Sequence, residues 1–258
     1  MKARLKQQLL IVSGKMRKDY EEYLDLIPTE QHTEMNWLHQ DFLPTLILLP
    51  SLCKQRESTD AVALASMLEL SYMAHQVHSQ APAEGTPDDY RMPILIGDYL
   101  LATALHHLIA DGNTKWLNRL GQAFCRMNEG KTVRSQWNER TFVPLDQKVE
   151  NLQKEYGELA ALAGLMGADA AGFNPEETQI YTAFSYYAGV LQGILLHHYH
   201  EEKPAILEEY IDYCEQYLFM LPTDVKQDLQ TLFLDKLLAF SDFHFESQKM
   251  QEIRAALN

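Results

Sequence analysis

Apolar residues recur at three- and four-residue spacing along nearly the whole chain, and sustained alternation is absent, so the sequence is constrained to helices. Leu64, Met67, Leu68 and Ser71 follow the i, i+3, i+4, i+7 pattern of one helix face. Leu46, Leu49 and Leu52 do the same after Pro44, a residue tolerated in a first turn. Glycine is scarce, at 12 of 258 residues, and no strand, repeat or low-complexity segment stands out. With 46% hydrophobic residues the chain can bury one large core or two small ones.

Punctuation divides the pattern into elements. Asp60 is the expected cap of a helix over 61–78, and residues 80–89 read as loop from their Pro, Gly and Asp content. Residues 94–109 are so apolar that a helix there is expected to be buried nearly all round. A turn at Asp111-Gly112-Asn113 precedes a helix over 114–128, and 129–143 reads as polar and irregular. A long helix over 146–167 follows. Asn174-Pro175-Glu176-Glu177 is a helix start with an Asn cap, Pro at the first position and acids in the first turn, and its helix runs to His200. Helices over 205–221 and 223–240 complete the reading, which is one all-α domain.

Charge narrows the partners. Thirty-six acids against 22 bases give a net charge of −14, which argues against nucleic acid, anionic membrane surfaces and polyphosphates bound without metal. Cys53, Cys125 and Cys214 lack metal-ligand spacing and read as buried reduced thiols. The apolar patch Leu9 to Val12 is too short for a signal core, and no apolar run is expected to reach the ~20 residues that span a bilayer. The longest candidate, Phe42 to Leu52, is interrupted by Pro44 and Pro50. A soluble, cytoplasmic protein is expected.

Several stretches, in order, resemble trans-isoprenyl diphosphate synthases. Leu68-Glu-Leu-Ser-Tyr-Met-Ala-His-Gln-Val-His78 is similar to L-E-L-I-H-T-A-S-L-I-H, which leads into that family's first aspartate-rich motif. Ile96-Gly-Asp-Tyr-Leu-Leu-Ala102 is similar to A-G-D-Y-L-L-A. Leu165-Met-Gly-Ala168 resembles the L-G-A after the family's K-T pair, and Ala188-Gly-Val-Leu-Gln192 resembles the G-x-A-F-Q before its second aspartate-rich motif. The resemblance runs from about residue 40 onward and implies an isoprenoid-synthase-type, all-α helical bundle around a central apolar cavity. On that basis 1–35 is an N-terminal helical segment and 36–258 a prenyltransferase-like domain, the two forming one domain.

In the resembled enzymes two facing helices present aspartates that bind Mg²⁺, which holds an allylic diphosphate; ionising the C–O bond needs such cations. Carried over, the first motif's aspartates fall on Ser79, Gln80 and Ala83, and the second motif's on Leu195, Leu196 and Tyr199. The K-T pair falls on Glu155 and Tyr156, and the basic G-K-R-x-R-P segment falls near Gln40, Asp41 and Leu43. Of the paired arginines after the first motif, Arg91 is the candidate that remains. The resemblance thus implies a degenerate member without catalytic residues and without a cofactor of its own, reached by Mg²⁺ only through a catalytic partner.

Histidines near these positions leave two readings. His75, His200 and Glu201 could bridge the two helices as a transition-metal site, or the histidines could mark a solvated helix end; no HExxH or ExxH spacing fixes ligand geometry. Asp98 reads as a partner for a neighbouring helix. His75, Tyr72, Phe184, Tyr187 and Gln192 are candidates for the cavity lining, and the stripe Tyr181, Phe184, Tyr187, Leu191 has core spacing. Functionally the resemblance implies a non-catalytic, chain-length-determining subunit of a two-component long-chain prenyl diphosphate synthase, similar in kind to the small subunit of heptaprenyl diphosphate synthases serving quinone side chains. It would dock through 94–109 and 114–128. The alternatives are a homodimeric isoprenoid- or lipid-binding protein and an unconventional prenyltransferase.

Overall fold

The computed structural model describes residues 1–21, 41–79, 81, 86–137, 142–199 and 203–234. Its elements are α1 (Lys2–Tyr20), α2 (Phe42–Cys53), α3 (Thr59–His78), α4 (Pro87–Ala110), α5 (Leu117–Ser135), α6 (Leu145–Leu152), α7 (Glu158–Ala171), α8 (Pro175–Leu196), α9 (Pro204–Met220) and α10 (Thr223–Leu229). A π-helical turn, Gln153–Gly157, joins α6 to α7, and a second one, Gln230–Leu234, follows α10. The described residues contain no strand.

The core is organised around α2, all 12 of whose residues are buried. Pro44 and Pro50 do not break it. Pro44 lies in the first turn, where an amide hydrogen would have no acceptor, and Pro50 lies in the last turn, close enough to the end that few bonds are lost. Helices α3 and α7 pack against α2, α4 packs along α3, and α8 packs between α7 and α9. Leu5, Val12 and Met16 of α1 join the same apolar core.

Local chemistry explains the element starts. Asn174 caps α8 through its Oδ1, which accepts from Glu177 N at 2.9 Å, while Glu177 Oε2 accepts from Asn174 N at 3.0 Å: a reciprocal capping box. For α3 the cap is Ser58, whose Oγ accepts from Ala61 N at 3.1 Å. Asp60 lies one step inside, where its charge faces the positive helix end.

Four expectations are corrected in α4 and α5. Helix α4 is buried along Ile96, Leu100, Ala104 and Leu108 but turns Met92, Leu95, Tyr99 and Ile109 outward, with Leu95 56% and Ile109 58% exposed. The expectation of burial all round therefore fails: an apolar composition cannot tell burial within the chain from an apolar outer face. Residues Arg91–Ala110 form a 20-residue stretch long and apolar enough to cross a membrane by length and composition, contrary to the expectation that no run reaches that length. Helix α5 runs on to Ser135, through residues expected to be irregular. Among the thiols, Cys53 and Cys214 are buried, whereas Cys125 is exposed.

Gly97 lets α4 approach α3. A Cβ there would lie 2.2 Å from the His78 ring, whose Nε2 donates to Asp98 Oδ1 at 3.1 Å and to Ile94 O at 3.2 Å. Gly97→Ala is expected to cost about 1–3 kcal/mol by displacing this ring, measured as a lower midpoint in urea unfolding; an unchanged midpoint would refute the close packing.

Candidate functional site

The C-terminal ends of α3, α5 and α8 and the π-turn converge through side chains that form one polar ladder. Lys131, on α5, donates through Nζ to Ser79 Oγ at the end of α3 and lies 3.1 Å from His75 Nε2. One turn further along α5, Arg134 makes a two-pronged pair with Glu155: Nε donates to Oε1 at 2.9 Å and Nη2 donates to Oε2 at 2.9 Å. Asn151 donates to the same Glu155 Oε1. The adjacent Tyr156 hydroxyl lies 2.9 Å from His197 Nε2, at the end of α8. Three side-chain contacts, strung along α5 and the π-turn, thus span from the helix end that carries Ser79 to the one that carries Leu196.

The local backbone is what aims Glu155 and Tyr156. An α-helix widened by one residue per turn redirects the side chains within it, and such π-turns often occur at functional sites. Glu155 is 4% exposed, and Gly130 makes room for it: a Cβ on Gly130 would lie 2.6 Å from Glu155 Cγ.

Electrostatics follow from burial. Burial, with Lys131 and His78 contributing, lowers the His75 pKa to about 3, so the ring is neutral. Burial and the Arg134 charge lower the Lys131 amine to about 8, partly opposed by Glu155. Burial pushes the Tyr72 hydroxyl up to about 12, with the Glu69 and Glu155 carboxylates adding to the rise and the Gln76 hydrogen bond opposing it. Glu69, buried on α3, has its pKa raised well above the ordinary carboxylate value by burial and then by Asp41. Its Oε2 finds no hydrogen-bond partner among the described residues.

An apolar cavity of about 270 Å³ lies between α3, α4 and α5, lined by Ser71, Ala74, His75, Leu105, Gly121 and Phe124 among others. Of the candidate lining residues, His75 borders it. Tyr72 is half-buried on the neighbouring face of α3, and Gln192 is buried in α8. Phe184 is wholly buried against Tyr181 and Phe233, with ring centroids at 5.9 and 5.7 Å. Tyr187 lies against Tyr213 and Tyr217 of α9, at 4.8 and 5.5 Å.

Ser79, Leu195, Leu196 and Tyr199 do not fit Mg²⁺. A hard cation takes carboxylate, carbonyl and water oxygens, whereas these positions offer one hydroxyl already bonded to an ammonium, aliphatic groups, and a phenol whose ring lies 5.1 Å from Lys148 Nζ. Gln40, Gln80, Ala83, His200 and Glu201 lie outside the described residues. Among the described residues no group of three His, Cys, Asp or Glu could hold a metal ion. Lys131 and Arg134 had no place in the sequence reading. The spacing Leu120, Ala123, Met127, Gly130, Arg134 continues one helix face through the segment taken as irregular, and that signal would have found them.

The fold is that of the trans-prenyl diphosphate synthases. The geranylgeranyl pyrophosphate synthase of Corynebacterium glutamicum is similar over 94% of this chain and 95% of its own, with a TM-score of 0.74 and 17% identity. A chain of mint heterotetrameric geranyl pyrophosphate synthase gives 0.67 and 18% over 90% and 99%. The geranyl diphosphate synthase small subunit of Antirrhinum majus gives 0.60 and 17% over 88% and 98%. No protein-family model and no curated protein matches the sequence.

One outcome tests the ladder and a second tests the buried Glu69. Arg134→Met strands the Glu155 carboxylate and is expected to cost about 3–5 kcal/mol, whereas the double variant with Glu155→Met recovers most of that loss; calorimetry of the three proteins measures it. A folded-state carboxyl pKa above the unfolded one means that the unfolded chain sheds its proton first, so stability falls as pH rises above about 4.5. Glu69→Gln is therefore expected to gain about 1–3 kcal/mol at pH 7, or roughly 2–12 °C in Tm, with the gain closing toward pH 4.

Proposed function

We propose that this chain is a non-catalytic, chain-length-determining subunit that pairs with a catalytic prenyl diphosphate synthase in the cytoplasm. The ladder from Ser79 to His197 carries this reading, because it puts an internal cation between the helix ends to which the sequence resemblance assigns metal-binding aspartates. Diphosphate ionisation needs cations that can neutralise the leaving group. Lys131 is a single ammonium, and the Arg134 charge is already matched by Glu155. The position to which the resemblance assigns the second diphosphate is also unsuited, since Asp41 is an acid and Leu43 is aliphatic.

The outer face of α4 supplies the contact. Met92, Leu95, Tyr99 and Ile109 form an exposed apolar face of the kind that marks a protein interface. In this reading the catalytic partner covers that face, which also accounts for a helix of membrane-span length that carries Asp98 and packs one stripe on α3. The partner keeps the Mg²⁺ and the chemistry, and this subunit helps set product length.

Co-expression with an aspartate-bearing prenyl synthase from the same genome is expected to give a heteromer on size-exclusion chromatography with altered product length. Leu95→Glu and Ile109→Glu are each expected to weaken it by at least 2 kcal/mol, roughly 30-fold in Kd. The chain alone, given labelled isopentenyl and farnesyl diphosphates with Mg²⁺ or Mn²⁺, is expected to form no extractable product; turnover there would overturn the reading.

A further inference from the structure

We infer that Lys131, with Ser79 and His75, forms a metal-free head-group site for an apolar-tailed monocarboxylate whose tail occupies the cavity between α3, α4 and α5. The inference does not depend on a catalytic partner, so failure to recover a heteromer leaves it standing.

Three observations converge. First, the cavity and the lysine share a wall. Phe124, Asn128 and Lys131 lie at i, i+4 and i+7 on one face of α5; Phe124 and Asn128 line the cavity, and His75 both lines it and touches Lys131 Nζ at 3.1 Å. Second, the ammonium has donor capacity left. Of its three N–H groups, two are used by Ser79 Oγ and His75 Nε2 among the described residues. His75, as acceptor, carries its own proton on Nδ1 and stays neutral, so it adds no second cation. Ser79 Oγ donates onward to His75 O at 2.7 Å, which fixes the hydroxyl that faces the lysine.

Third, the charge count selects the head group. Arg134 is matched by the carboxylate of Glu155, which leaves one positive charge at the end of the cavity. A carboxylate balances one ammonium. A diphosphate would bring surplus negative charge next to Glu155 with no divalent ion to offset it. The volume sets the tail: about 270 Å³, at ~30 Å³ for each water-sized group, holds about nine heavy atoms. An eight-carbon acid suits that space.

Isothermal titration of the purified full chain with octanoate, octan-1-ol and geranyl diphosphate, each with and without Mg²⁺, tests the site. Octanoate is expected to bind at least ~10-fold more tightly than octanol, the scale of a hydrogen bond to a charged group. The preference should fade as the pH rises through about 8, where Lys131 loses its proton. Lys131→Met is expected to abolish the preference while leaving octanol affinity unchanged, and Lys131→Arg to retain it. Gly121→Leu should block both ligands by projecting a side chain into the cavity that Gly121 lines, where the added Cβ itself meets no atom within 4 Å; an unchanged melting temperature checks that the variant is folded. Equal affinity for octanoate and octanol, an unchanged preference in Lys131→Met, or geranyl diphosphate with Mg²⁺ binding more tightly than octanoate would overturn the inference. The non-catalytic reading is judged separately, by product formation, so the two can fail independently.

Discussion

The pairing of Arg134 with Glu155 is the interaction on which the arrangement of the helix ends depends. A carboxylate only 4% exposed is costly to hold unless its lone pairs are filled, and here a guanidinium and the Asn151 amide fill them. The pair fixes the π-turn against α5. Because Lys131 stands one turn before Arg134, the same contact places the ammonium against Ser79, and because Tyr156 follows Glu155, it also places the phenol against His197. One buried charge pair thereby positions groups on three helices.

The arrangement answers a general problem of helix packing. Helices that end beside one another around an apolar interior bring their C-terminal carbonyls, and hence partial negative charge, into one place. Positive charge there is favourable whatever its source. Here it arrives on side chains from α5, fixed covalently to the fold. The small residues that let the helices meet remain in place, Gly97 beneath the His78 ring and Gly130 beneath Glu155.

The helical class, the Asn174 capping box and the joined run from α6 to α7 were legible in the sequence, because each is written in local spacing. The Gly97–Asp98 contact with His78 was foreshadowed by a family-like motif. The burial of α4 was misjudged, since Leu95 and Ile109 look the same in sequence whether they meet this chain or another. The ladder was missed because the apolar face of Leu120, Ala123 and Met127 was followed only to residue 128, and Lys131 and Arg134 lie just beyond it on the same helix. What makes them inward-facing is Glu155, more than 20 positions away and on a turn whose π geometry the sequence does not announce.

The neutral state of His75 ties this junction to acidity. Its ring holds off a proton down to about pH 3, whereas in an unfolded chain it would accept one near 6.5. Between those values protons favour the unfolded chain, and stability drains away as the medium acidifies. The natural antagonist of this junction is the hydronium ion.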